Sequence, residues 1–318
     1  MHTNKRNFVS VFLFLIIYFF STDTIAAPKY SSFSLDAISG EILHNNRGFQ
    51  TRYPASLTKV MTLYLIFEDL EDGKIQKSDL VTFSRNASSM PASKLGLAPG
   101  ETITLSNAIK ALAIKSANDV ATAVAEHLSG TEESFATRMT NKARELGMYQ
   151  TSFRNASGLH NKYQKTTAFD MAILGLRILK DFPNESRVFS QKEFVFEGKT
   201  YRSHNKLLFS YPGTKGMKTG FTNMSGFNLI SYVMKENKEI ISVVMGGSSS
   251  TSRNSNMVKV LNKSIKLAKY EIPFPKSNPF IEQKKINLKY NSVKSEERRQ
   301  SRFEILSNRV DKILTIFP

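Results

Sequence analysis

Three short groupings of side chains could do chemistry together. In Ser56-Leu57-Thr58-Lys59 a hydroxyl and an amine stand three positions apart. At the start of a helix, residues i and i+3 share a face, so the Lys59 amine can reach the Ser56 hydroxyl. A serine hydroxyl is too weakly acidic to attack unaided, and a lysine can act as its base if burial and a second cation lower its pKa. The helix start also offers a backbone N–H at Ser56 where an oxyanion would form. In Ser116-Ala117-Asn118 a hydroxyl and an amide could relay a proton and orient a carbonyl; a plain helix N-cap would look the same. In Lys218-Thr219-Gly220 the first two side chains can bind a carboxylate, and the glycine lets the backbone approach closely. Each grouping is ambiguous singly, because a given tripeptide turns up by chance in roughly one chain of this length in ten.

The elements that must position these residues can be read from periodicity. Ser32 to Leu43 reads as a strand pair, with Phe33, Leu35, Ile38 and Ile42 divided by a Ser39-Gly40 turn. Leu57, Val60, Leu63, Tyr64 and Phe67 follow at helical spacing and predict a helix from near Ser56, closed by Asp72-Gly73. Ile103 and Leu105 predict a short strand, and Ser106 or Asn107 a cap for a helix carrying Ile109, Leu112 and Ala113. Ser116 to Asn118 interrupts that helix. Further helices are expected over Asp119–Leu128 and Glu132–Leu146. Gly226 to Gly247 reads as two adjacent strands just after the third grouping, and Asn256 to Tyr270 as a last helix. Strands at both ends with helices between imply an α/β chain whose sheet is mainly antiparallel.

The ends differ from the middle. Lys5 and Arg6 precede the apolar run Phe8–Phe20, and Thr24 and Ala26 supply small residues at a cleavage site, so residues 1–26 are expected to be a signal peptide and the protein to be exported. There is no cysteine, which excludes disulfides, thiolate metal sites and cysteine nucleophiles. The net charge of +17 calls for an anionic neighbour. No nucleic-acid motif accompanies it, so none is expected as a partner; lipid headgroups or carboxylate-rich wall polymers suit an exported chain. In the tail, Phe303, Leu306, Val310, Ile313, Leu314 and Phe317 recur at helical spacing, with Arg302, Arg309 and Lys312 off the stripe. Residues 272–318 therefore read as a basic tail ending in an amphipathic helix, for an anionic membrane surface or for docking on protein. The five histidines lie far apart, and neither metal nor cofactor is expected.

Taken in order, Ser-x-x-Lys, Ser-x-Asn and Lys-Thr-Gly form the signature of penicillin-binding proteins and serine β-lactamases. The flanking residues narrow the resemblance to the low-molecular-mass D-alanyl-D-alanine carboxypeptidases: Tyr53-Pro-Ala-Ser-Leu-Thr-Lys-Val-Met-Thr62, Gly216-Met-Lys-Thr-Gly-Phe-Thr-Asn-Met-Ser-Gly226, Asn155-Ala-Ser-Gly-Leu159 and His204-Asn-Lys-Leu-Leu208 are similar to that family's segments. The likeness runs from Ser32 to Tyr270, within an expected catalytic domain at 28–271. It implies a β-lactamase/transpeptidase-like fold, mainly an antiparallel sheet flanked by helices, with an all-helical subdomain carrying the second motif. It also implies roles. Ser56 would be acylated by the penultimate D-Ala of a peptidoglycan stem peptide, and Lys59 would take its proton. Ser116 and Asn118 would relay that proton and orient the substrate. Lys218 and Thr219 would hold the terminal carboxylate, Gly220 would admit the backbone, and the N–H groups of Ser56 and Phe221 would form the oxyanion hole. β-Lactam antibiotics would acylate Ser56, and the enzyme would work in the periplasm or on the outer face of the cytoplasmic membrane.

Two departures bear on specificity. Phe221 follows the glycine where some relatives have histidine, and Ser248 follows Met-Gly-Gly where one branch has a carboxylate-binding arginine; Arg253 is the candidate substitute. A D-alanyl endopeptidase of the same family therefore stays open. A class A β-lactamase needs Glu-x-x-x-Asn between the second and third motifs, and none of Glu126, Glu132, Glu133, Glu145, Glu185, Glu193 or Glu197 has Asn four residues later. A non-catalytic wall-binding scaffold would suit the charge, but not the full set of nucleophile, base and carboxylate-binding side chains.

Overall fold

The computed structural model describes residues 30–269. The expected signal peptide, and the tail from residue 272 with its amphipathic helix, lie outside the described residues. Strands β1 (Ser31–Asp36) and β2 (Ile42–Asn46) pair antiparallel. The Asp36 carboxylate accepts the N–H groups of Ile38 and Ser39, so Ile38 belongs to the turn and not to a strand as expected. A 3₁₀ turn (Ala55–Thr58) leads into helix α1 (Lys59–Glu71). Next come β3 (Leu80–Thr82), α2 (Arg85–Ser89), β4 (Thr102–Thr104) and α3 (Leu105–Lys110). Thr104, not Ser106 or Asn107, caps α3 by accepting from Asn107 N, which makes Leu105 helical instead of part of a strand. A π turn (Ala111–Lys115) breaks at Ser116, and α4 (Asn118–Ser129) starts one residue earlier than expected. Then follow α5 (Glu132–Glu145), α6 (Ala168–Asp181), the hairpin β5 (Glu193–Phe196) and β6 (Lys199–Arg202), and α7 (Leu207–Ser210). The chain closes with β7 (Thr214–Thr222), β8 (Gly226–Lys235), β9 (Lys238–Gly247) and α8 (Ser250–Leu267), the last starting six residues before the expected Asn256.

One antiparallel sheet, in the order β2-β1-β9-β8-β7, joins the two ends of the described chain. Alternation along β9 sorts its side chains to two faces. Ile241, Val243 and Met245 enter the larger core with α1 and α6, while Ile240 and Val244 pack with Leu229, Met257, Leu261 and Ile265 under α8. The sheet is thus covered on both faces, as an α/β layer architecture requires. Helices α2–α5 form the second body, which also contains a short β3–β4 ladder. β7 is an edge strand, and the third motif lies within it, not ahead of the first strand as the sequence suggested. The first two motifs sit at helix starts that converge on that edge.

Candidate active site

Ser56 lies in the 3₁₀ turn, and Lys59 is the first residue of α1, so the short i to i+3 step is made in a tight turn. Ala55 before it has φ +49°. Its neighbour in space is Gly158, at φ +85°, where a Cβ would fall 1.9 Å from the Ala55 carbonyl oxygen; only glycine leaves room for that turn.

Lys59 is completely buried. Its Nζ donates to the Ser157 carbonyl at 2.6 Å and to Asn118 Oδ1 at 2.7 Å, and stands 3.3 Å from Ser56 Oγ. Burial holds its pKa well below the ordinary lysine value, the Lys218 charge pushes the same way, and Asp119 and Glu132 oppose only in part. A buried ammonium would cost several kcal/mol in lost hydration, so the neutral amine is the form this site favours. A neutral amine has two N–H donors and one lone pair. The Ser157 and Asn118 oxygens can only accept, which leaves the lone pair for the Ser56 hydroxyl.

The sequence reading missed the groups behind Lys59. Ala156 N donates to Glu132 Oε1 at 2.9 Å, and Thr62 Oγ1 donates to Ala156 O at 2.7 Å, so α5 and α1 pin the loop that presents Ser157 O. Burial raises the pKa of Glu132. The Asn155-Ala-Ser-Gly string was the available signal; nothing in it said that a backbone carbonyl was the working group.

The second motif is held by the stretch 91–96. Ser116 closes the π turn in the left-handed region, at φ 64° and ψ 37°. Such π turns recur at functional sites because they re-aim the residues that follow. Asn118 Nδ2 donates to Pro91 O at 2.9 Å, and Asn118 N donates to Ser93 O at 2.6 Å. The Asp119 carboxylate accepts Leu95 N and Gly96 N. Asn118 is thereby brought onto Lys59; among the described residues no hydrogen bond joins the buried Ser116 to Ser56 or Lys59.

The third motif faces the nucleophile. A Cβ at Gly220 would lie 2.9 Å from Ser56 N and 3.1 Å from Leu57 N, so the nucleophile turn rests directly on the β7 backbone. Lys218 is buried, and burial followed by the Arg253 charge lowers its pKa to about 7. Thr219 is buried beside it. The Phe221 side chain is half exposed and stacks on Phe227 at 4.2 Å, leaving its backbone at the site. Arg253, in the first turn of α8, is buried against Gly247, and its guanidinium donates to Asn254 Oδ1. Burial lowers its pKa to about 10. His204, given no role from sequence, is pushed down to about 4 by burial and then by Lys218, Lys115, Arg253 and Lys59. Among the described residues neither Lys218 nor Arg253 has a carboxylate partner, so two desolvated basic side chains stand here without a counter-ion, which an anion would supply.

The arrangement (a serine against a neutral buried amine, with two buried basic side chains alongside) suits acyl transfer from a substrate ending in a carboxylate. Similarities to known proteins agree with it. A family model described as D-alanyl-D-alanine carboxypeptidase matches residues 20–249. The chain is 35% identical over 270 residues to D-alanyl-D-alanine carboxypeptidase DacF of Bacillus subtilis, covering 83% of this chain and 69% of that one. Penicillin-binding protein 5 from Haemophilus influenzae superposes with a TM-score of 0.70 at 34% identity, over 73% of this chain and 69% of that one. Penicillin-binding protein D2 from Listeria monocytogenes, in its ampicillin-bound form, superposes at 0.68 with 26% identity, over 74% of this chain and 96% of that one. The chain belongs to the D-alanyl-D-alanine carboxypeptidase family of penicillin-binding serine peptidases.

Proposed function

We propose that this protein removes the terminal D-alanine from peptidoglycan stem peptides through an acyl-enzyme on Ser56, and that β-lactams acylate the same hydroxyl. The observation that carries this reading is the Lys59 amine, fully buried, with its two donors spent on Ser157 O and Asn118 Oδ1 and its lone pair left to Ser56.

In the first step Lys59 takes the Ser56 proton as Oγ attacks the penultimate D-Ala carbonyl. The N–H groups of Ser56 and Phe221 hold the oxyanion, on either side of the Gly220 contact. Lys59 then gives that proton through Ser116 to the departing amine while Asn118 orients the peptide, the C–N bond breaks, D-alanine leaves, and Lys59 is neutral again. Lys218, Thr219 and Arg253 hold the terminal carboxylate, which places the scissile bond over Ser56. Water attacks the ester as Lys59 takes one of its protons, and that proton passes to Ser56 Oγ as the acyl C–O bond breaks and the shortened peptide leaves as a carboxylic acid. With no Glu-x-x-x-Asn to activate that water, a penicilloyl ester should be long-lived.

The charge and the ends support export and a membrane-surface tail as part of the same reading. N-terminal sequencing of the mature protein should begin at Ala27; an intact Met1 terminus would count against a cleaved signal peptide and favour a retained anchor. Deleting residues 272–318 should abolish sedimentation with anionic vesicles, and unchanged sedimentation would remove the tail from the account. The activity is tested by D-alanine release from a muramyl pentapeptide against cleavage of cross-linked dimers. Release from the pentapeptide, lost in Ser56→Ala, supports the proposal; cleavage of dimers alone overturns it in favour of an endopeptidase.

A further inference from the structure

Asn228 is completely buried in β8, outside all three motifs. Its amide is fully used. Nδ2 donates to Tyr53 O at 3.0 Å and to Pro54 O at 3.1 Å, and Oδ1 accepts Gly246 N at 2.9 Å. The orientation is fixed by chemistry, since two carbonyls need donors and one N–H needs an acceptor.

Its place in the sheet explains why that amide is there. On one side Asn228 is the register partner of Gly220 in β7. Residues directly opposite in an antiparallel pair project to the same face. Gly220 therefore vacates the space that the nucleophile turn fills, and Asn228 beside it supplies the grip. On the other side the β8–β9 ladder is irregular: Phe227 faces Gly247, but Leu229 faces Val244, so β9 has one residue more than β8 over this step. Gly246, at φ +76°, lies in that bulge, and its N–H is returned to Asn228 in place of a ladder bond. The next residue, Gly247, is packed against Arg253, where a Cβ would stand 3.0 Å from the Arg253 Cβ.

We infer that Asn228 is a positioning residue for acylation: its buried amide ties the turn carrying Ser56 to the bulge leading to Arg253, and its place opposite Gly220 in the β7–β8 ladder sets both against the strand carrying Lys218 to Phe221. The inference rests on the proposed reaction. Among the described residues these two donations are the polar ties between the Tyr53–Ala55 segment and β8, and without them Ser56 would shift relative to the oxyanion donors and the carboxylate-binding cations. A displacement of about 1 Å is enough to cost roughly 100-fold in rate.

The experiment uses full-length protein carrying Asn228→Asp, Asn228→Ser or Asn228→Ala and a fluorescent penicillin, with acylation resolved into a binding constant and a first-order acylation constant. Aspartate keeps the acceptor for Gly246 but loses both donations. Its acylation constant should fall ~10- to 100-fold with binding little changed, in protein whose circular dichroism is that of wild type. Relative to wild type that constant should recover as pH falls, because a protonated carboxyl can again donate one hydrogen bond. Serine, with one donor, should lie between aspartate and wild type. A residue that matters only for stability would lower Tm and leave the acylation constant of the folded fraction unmoved, and that result overturns the inference. Failure of all three variants to fold at 25 °C also overturns it, assigning Asn228 to the fold. If wild type itself is not acylated, the proposed reaction fails instead, so the two failures are distinguishable.

Discussion

Asn118 Oδ1 lies 2.7 Å from Lys59 Nζ, closer than Ser56 Oγ at 3.3 Å, so the second motif holds the base more tightly than the nucleophile does. A neutral amide is the group this contact requires. In Asn118→Asp a carboxylate would sit against Lys59, favour its charged form and raise its pKa by 1–2 units or more. Acylation by penicillin at pH 7 should then fall ~10- to 100-fold and recover as pH rises. An unshifted pH profile would show that Asn118 acts on the substrate alone.

Lys218 gives the pH dependence of substrate capture a definite sign. Burial and Arg253 bring its pKa to about 7. Below that value it is charged and binds carboxylate; above it the charge is lost. Lys59 works in the opposite sense, since only the unprotonated amine is a base and its pKa is itself depressed. As pH rises, free enzyme should therefore gain kcat/KM as Lys59 loses its proton and lose kcat/KM as Lys218 loses its own, the two limbs belonging to a coupled pair. Lys218→Arg keeps its charge and should move the falling limb to higher pH while the rising limb stays. A limb that does not move would free Lys218 of this role.

Gly220 is where β7 touches the nucleophile turn. Gly220→Ala would place a methyl 2.9 Å from Ser56 N, and backbone must move to admit it. Penicillin acylation should drop ~100-fold or more. Wild-type acylation in this variant would mean that the contact does not set the position of Ser56.

Ser116 trades backbone comfort for chemistry. At φ 64° a residue with a Cβ carries about 1–2 kcal/mol of strain that glycine avoids. Ser116→Gly should melt within about 2 °C of wild type or higher, because relief of strain offsets the entropy of glycine. Its kcat for peptide should fall ~100-fold with the proton relay gone. Loss of stability with full kcat would reverse the assignment.

Several parts of this design were legible in the residues alone. The apolar run Ile240 to Met245 and the 3.6-residue stripe of Leu57, Val60, Leu63 and Phe67 announced β9 and α1, because a strand covered on both faces is apolar almost throughout and a packed helix repeats its apolar positions each turn. The hydroxyl and amine at Ser56 and Lys59 announced a pair, because a single turn joins them. β7 was hidden: Lys-Thr-Gly has neither β-branched density nor alternation, and this edge strand is kept by its ladder with β8. Helix α6 was legible too, though missed: Asp170, Arg177 and Asp181 fall on one stripe of Ala168–Asp181, and most other positions are apolar and buried behind the sheet. The Ser157 carbonyl, the Asn228 amide and the approach of Arg253 to Lys218 could not be read, since each joins residues that only the finished fold brings together.

The central claim is that Lys59 is an uncharged base directed at Ser56. Time-resolved intact-mass measurement of benzylpenicillin acylation across pH, with the adduct located by peptide mapping, tests it most directly. One adduct on Ser56 is expected, none in Ser56→Ala, and an acylation rate that no longer rises in the range where an ordinary lysine titrates. An adduct on another residue, or a rate that climbs only where an ordinary lysine titrates, near pH ~10, would contradict it.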